Sequence, residues 1–159
     1  MNALHLMGDS ILDNGIYTET GVSTMDMVAE RLPDGELHRH ALDGATITST
    51  GKQKHPTAGL RVISMGGNDL LPLVNGLAWD EDKPVSYIAS LEPIANQFEK
   101  EYREVLELSD CPTLVMTIWR PHFGDPTVDA ACNVLVGCHL FVSHRDCHEL
   151  LRKRSRAMG

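Results

Sequence analysis

Cysteine is missing from the first 110 of the 159 residues. The four that occur, Cys111, Cys132, Cys138 and Cys147, all fall in the last third of the chain. They cannot form a disulfide framework bracing the whole fold, and they read as reduced thiols. No apolar run is long enough to span a bilayer. Only seven residues precede Gly8, with neither a basic region nor an apolar stretch of signal-peptide length. These absences together predict a cytoplasmic protein. Basic residues are in deficit: 14 Lys and Arg face 22 Asp and Glu, for a formal charge of −8. That balance argues against nucleic acid and anionic membranes as partners. Internal repeats and low-complexity linkers are absent, and the length suits one domain. Gly-x-Gly-x-x-Gly is also absent, which argues against a dinucleotide-binding loop.

The patterns that remain predict an alternation of strands and helices. Ala3–Met7 reads as a short buried strand ending in Gly8-Asp9-Ser10. Met25, Val28, Ala29 and Leu32 follow helical spacing, with Ser23 or Thr24 as N-cap and Pro33-Asp34-Gly35 as the stop. Glu36–Leu42 reads as a second strand, broken by Asp43-Gly44-Ala45. Thr48–Pro56 is polar and turn-rich. Leu60, Val62, Ile63 and Met65 mark a third strand, closed by Gly66-Gly67. Helical spacing runs through 86–108, where Pro93 should kink or restart the helix. After Pro112, Thr113–Trp119 is nearly continuous in apolar and β-branched residues, the pattern of a buried parallel strand. The class expected is α/β with a mainly parallel sheet.

Three loop motifs follow three of these strands: Gly8-Asp9-Ser10, Asp43-Gly44-Ala45 and Gly66-Gly67-Asn68-Asp69. In a parallel sheet such loops share one edge, so Ser10, Gly44 and Asn68 can converge. Ser10 fits two roles, a nucleophile or a plain turn former and helix cap. Gly44 and the Gly66–Asp69 block each fit a simple turn when taken alone. Together they supply a hydroxyl, a glycine amide and a carboxamide, the parts needed to attack a carbonyl and hold its oxyanion.

These residues resemble the SGNH (GDSL) hydrolase superfamily. The resemblance rests on Gly8-Asp9-Ser10-Ile11-Leu12, Gly44 and Gly66-Gly67-Asn68-Asp69, and covers roughly residues 3–130. It implies a three-layer α/β/α, flavodoxin-like fold and ester hydrolysis by a Ser-His dyad or Ser-Asp-His triad, with neither cofactor nor metal; the substrate expected is a small or acetylated ester. It places Ser10 as nucleophile, with Asp9 as the residue preceding it. The Ser10 amide, Gly44 and Asn68 then form the oxyanion hole.

The family's final Asp-x-x-His block has no counterpart. None of the eight histidines has Asp or Glu three residues before it. Asp146-Cys147-His148 comes nearest, one residue short, and makes His148 with Asp146 the best available base. The alternative is an inactive fragment or pseudo-hydrolase that at most binds a ligand in the cleft. Residues 1–137 read as the hydrolase-like domain and 138–159 as an atypical basic tail rich in Cys and His. Residues 145–159 carry +3, leaving −11 for the rest. Leu135–Val142 is a poor fifth strand, and the expectation is a coding sequence shifted or truncated near 133–140, with the last strand missing. The Cys138, His139, His144, Cys147 and His148 cluster fits either a metal-binding tail or a solvated one. His122, after the fourth strand, fits a substrate-side residue. Specificity is expected to lie in loops 70–85 and 120–130.

Overall fold

The computed structural model describes residues 3–32, 34–76 and 84–116, together with positions 118, 126 and 129. Among these, four strands form one sheet: β1 (Ala3–Gly8), β2 (Glu36–Arg39), β3 (Leu60–Ser64) and β4 (Thr113–Val115). Their order is β2-β1-β3-β4, and every neighbouring pair is parallel. Parallel neighbours need crossover connections, which helices usually supply. Here they are α1 (Thr24–Arg31), α2 (Ile47–Thr50), α3 (Gly67–Gly76) and α4 (Pro84–Glu107).

Alternation along the strands gives the sheet two apolar faces. Leu4 and Leu6 of β1, Leu37 of β2 and Val62 of β3 pack with Met25 and Val28 of α1. Met7 and Ile63 point the other way, against Ile47, Leu70 and the buried stripe Leu91, Ala95, Phe98, Tyr102 and Val105 of α4. Helices therefore cover both faces, giving the three-layer α/β/α arrangement expected from the motifs.

Two side chains lock elements in place. Ser23 caps α1, accepting from the Asp26 N–H at 3.1 Å while its own N–H donates to the Asp26 carboxylate at 2.8 Å. This reciprocal pairing satisfies amides that the helix start leaves open. Arg61 of β3 is only 1% exposed. Its guanidinium donates to the Leu106 carbonyl at 2.7 Å and the Thr113 hydroxyl at 2.9 Å, and it meets His55 Nδ1 at 3.0 Å. A cation is thus held against the C-terminal carbonyls of α4, where the helix dipole favours it.

The structure departs from the sequence expectations in several places. The polar stretch from Thr48 contains part of helix α2, which Thr46 starts by accepting from the Ser49 N–H and pairing its own N–H with the Ser49 hydroxyl. Local capping overrides a turn-like composition there. Gly67 opens α3 instead of merely closing β3, so 70–76 is helix rather than specificity loop. Pro93 lies inside a continuous α4. It and Ala89, whose carbonyl loses its intrahelical donor, are both exposed, so water can meet the freed group. Strand β2 is shorter than Glu36–Leu42 and ends at Arg39. Pro33, Thr117, Trp119, residues 120–125 including His122, Leu135–Val142 and the whole 138–159 tail lie outside the described residues.

Candidate active site

The strand order reverses direction between β1 and β3, with β2 on one side of β1 and β4 beyond β3. In open α/β sheets, ligands bind beyond the carboxyl ends of strands at such a switch point. Gly8-Asp9-Ser10 leaves the end of β1, and Gly66-Gly67-Asn68-Asp69 leaves the end of β3. The two blocks therefore flank that crevice.

Gly8 makes the turn at Ser10 possible. Its φ is +112°, and a Cβ built there would sit 1.6 Å from the Ser64 carbonyl oxygen. Only glycine fits both the backbone angle and this approach. The Gly8 N–H donates to Gln53 Oε1 at 2.9 Å, and its carbonyl accepts from Gln53 Nε2 at 3.0 Å. The Leu42 N–H reaches the same carbonyl at 2.9 Å. One side-chain amide thus pairs with Gly8 as a neighbouring strand would.

Asp9 fixes the next residue. It is 3% exposed. Its Oδ1 accepts from the Ser64 hydroxyl at 2.8 Å and from the Ile11 N–H at 3.1 Å. Its N–H donates to the Ser64 carbonyl at 3.0 Å, and its own carbonyl accepts from Leu12 and Asp13. The carboxylate is therefore committed to shaping the turn. Ser10, half-buried at its tip, uses neither its hydroxyl nor its N–H in a hydrogen bond among the described residues.

The Gly44 loop is held from both sides. The Asp43 N–H donates to Asp13 Oδ2 at 3.0 Å, and the Tyr17 hydroxyl donates to Asp43 at 2.9 Å. From the β3 side, Asn68 Nδ2 donates to the Ala45 carbonyl at 3.0 Å. The Asp69 carboxylate accepts from the Ile47 N–H at 3.0 and 3.2 Å, capping α2. Burial raises the Asp69 pKa above the ordinary carboxylate value, against the lowering effect of the Ile47 amide. Gly44 is exposed with φ +73° and open space where a Cβ would stand. Asn68 spends one of its two N–H bonds on the loop and keeps the other.

Hydrogen bonds thus join all three motifs into one assembly at the carboxyl edge. The contributions of Gln53 and Ser64 were missed from sequence. Gln53 sat in a polar stretch with no pattern, and Ser64 was one residue of a strand; neither carried a signal. Asp69 was visible in its motif, though its capping of α2 was not. His148 and Asp146 lie outside the described residues.

No protein-family model matches the sequence, and no curated protein matches it. Solved structures do. The fold is similar to an extracellular lipase from Streptomyces rimosus, with a TM-score of 0.65, 14% identity, and 94% of this chain and 77% of that one covered. It is also similar to phospholipase A1 from Streptomyces albidoflavus, with a TM-score of 0.62, 12% identity, and 91% and 76% covered. A third is AlinE4, an SGNH-hydrolase family esterase, with a TM-score of 0.50, 17% identity, and 91% and 71% covered. The strand order, the paired helical layers and these likenesses agree: the chain has the α/β/α fold of the SGNH hydrolases.

Proposed function

We propose that the protein is a serine hydrolase of small or acetylated esters. The observation that carries this reading is the Ser10 hydroxyl and N–H at the switch point, unbonded among the described residues, beside a Gly44 loop anchored by Asn68. Ser10 Oγ attacks the ester carbonyl carbon and passes its proton to a base. The Ser10 amide, the Gly44 amide and the spare Asn68 N–H stabilise the oxyanion. The proton then goes to the departing alcohol, leaving an acyl-serine that water hydrolyses. We assign the base role to His148, with Asp146 beside it in sequence. General-base help of this kind is worth about 10²–10⁴ in rate. The fold likeness to lipases and an esterase supports the same class of chemistry. No cofactor or metal takes part in this reaction.

A fluorophosphonate probe tests the reading. Labelling of the folded wild type, lost in Ser10→Ala along with hydrolysis of p-nitrophenyl acetate, is the expected result. Folded wild-type protein that neither labels nor hydrolyses overturns it. One observation favours a second reading, an inactive ligand-binding relative: no histidine follows Asp or Glu at the three-residue spacing. The wild-type assay separates the two, because an inactive relative neither labels nor hydrolyses; His148→Ala then tests the base, since an active enzyme unaffected by that change uses another. Among the described residues, no helix is long and apolar enough to cross a membrane. The cytoplasmic location expected from the sequence is tested by cell fractionation.

A further inference from the structure

A group of side chains away from the Ser10 turn has no part in the hydrolytic reading. His5 of β1 and His38 of β2 are direct partners in the parallel register. His40 follows two residues after His38, so all three lie on the same face of the sheet edge. Each is half-buried, and one nitrogen from each lies within 4.8 Å of the others. His5 Nδ1 and His40 Nε2 are 3.4 Å apart. Two nitrogens bound at about 2.0–2.1 Å to a tetrahedral zinc are about 3.3–3.4 Å apart, so this spacing is that of two ligands on one ion.

An outer contact points the same way. Glu36 Oε1 lies 2.9 Å from His38 Nε2, so Nδ1 is the nitrogen of that ring left for an ion. A metal-bound histidine is typically held in this way by a carboxylate or a carbonyl on its other nitrogen. Lys54 is the nearby opposing charge and Glu36 the favourable one. The rings now stack nearly parallel, with His5 and His38 centroids 4.3 Å apart and 8° between planes. Loading therefore turns the rings about χ2, a soft torsion for imidazole.

We propose that His5, His38 and His40 form a site for a divalent zinc-type cation, with water completing a tetrahedron. The ion fastens edge strand β2 to β1. It binds independently of the tail, whose Cys138, His139, His144, Cys147 and His148 form a separate donor set in the sequence.

Metal-stripped full-length protein provides the test, titrated with Co²⁺ for visible absorption and with diamagnetic Zn²⁺ for the ¹⁵N shifts of the histidine rings. The expected result is tetrahedral Co²⁺ bands without a thiolate charge-transfer band, and shifted ring nitrogens of His5, His38 and His40. The melting temperature should rise with Zn²⁺. Affinity should fall at least about tenfold in His40→Ala, since even an outer-contact change commonly costs that much. It should hold in a Cys138→Ser, Cys147→Ser, His148→Ala tail variant. Wild-type ring nitrogens of the three histidines that do not move, or bands lost only in the tail variant, overturn the proposal. The ring-shift measurement needs no substitution, so it stands even where a variant fails to fold.

Discussion

At the residue scale, the candidate site depends on side chains that hold backbone in place as much as on those that would touch substrate. Asn68 does both. Asn68→Ala should lower kcat for ester hydrolysis by about 10²–10³, as loss of an oxyanion donor does elsewhere. The same change should cost only about 1 kcal/mol of stability, for the lost bond to Ala45. A stability loss with unchanged kcat would reduce Asn68 to a loop tie. Asp69 supplies a pH signature. Its folded pKa is raised by burial above the unfolded value of about 3.9. The native state therefore favours its protonated form, and stability is lost as pH rises through the folded pKa. Asp69→Asn keeps an oxygen for the Ile47 amide and removes the titration. Denaturant melts of both proteins from pH 3 upward should show the variant gaining on wild type as pH rises. A difference independent of pH would refute this. Ser10, Gly44, Asn68 and Asp9 were legible in the sequence because each stands in a short motif after a strand. The work of Gln53 and Ser64 was not, because their partners are 45 and 55 residues away and no local pattern marks such pairings.

At the scale of elements, β1, α1, β3 and α4 were readable because their apolar spacing matches the faces they bury. Leu91, Ala95, Phe98, Tyr102 and Val105 trace one stripe of α4, and the missing hydrogen bond at Pro93 falls on its wet side. Helix α2 was hidden because capping, and not apolar periodicity, defines a four-residue helix. Arg61 was hidden for the opposite reason: a charged residue within a strand gives no hint that it will be buried. It joins β3, the start of β4 and the end of α4. Arg61→Met fills similar space without the bonds, so it should destabilise the fold by about 2–3 kcal/mol, the scale of hydrogen bonds made by a charged group. Urea unfolding checks this, and a loss under 0.5 kcal/mol, on the order expected for an ordinary surface change, would show that the carbonyls of α4 find other donors.

For the whole molecule, one sheet carries the described strands, and its two apolar faces explain why helices stand on both sides. The switch point between β1 and β3 lies where the loops of the candidate site meet, and the strand order β2-β1-β3-β4 creates it. Cys111 belongs to this interior: buried and free, with its thiol 3.4 Å from the Pro56 carbonyl. It should resist alkylation until the protein unfolds, as peptide mapping with and without denaturant would show. The bond from Ser64 to Asp9 has a further meaning in time. It ties residue 9 to residue 64, so a growing chain cannot shape the turn at Ser10 until β3 has been made and has closed against β1. Contacts so distant in sequence form late and slowly. The reactivity proposed for Ser10 would then be a property of the finished sheet. In a urea series, fluorophosphonate labelling should fade at the same midpoint as far-ultraviolet circular dichroism. Labelling that survives past that midpoint would mean the turn can assemble without the sheet.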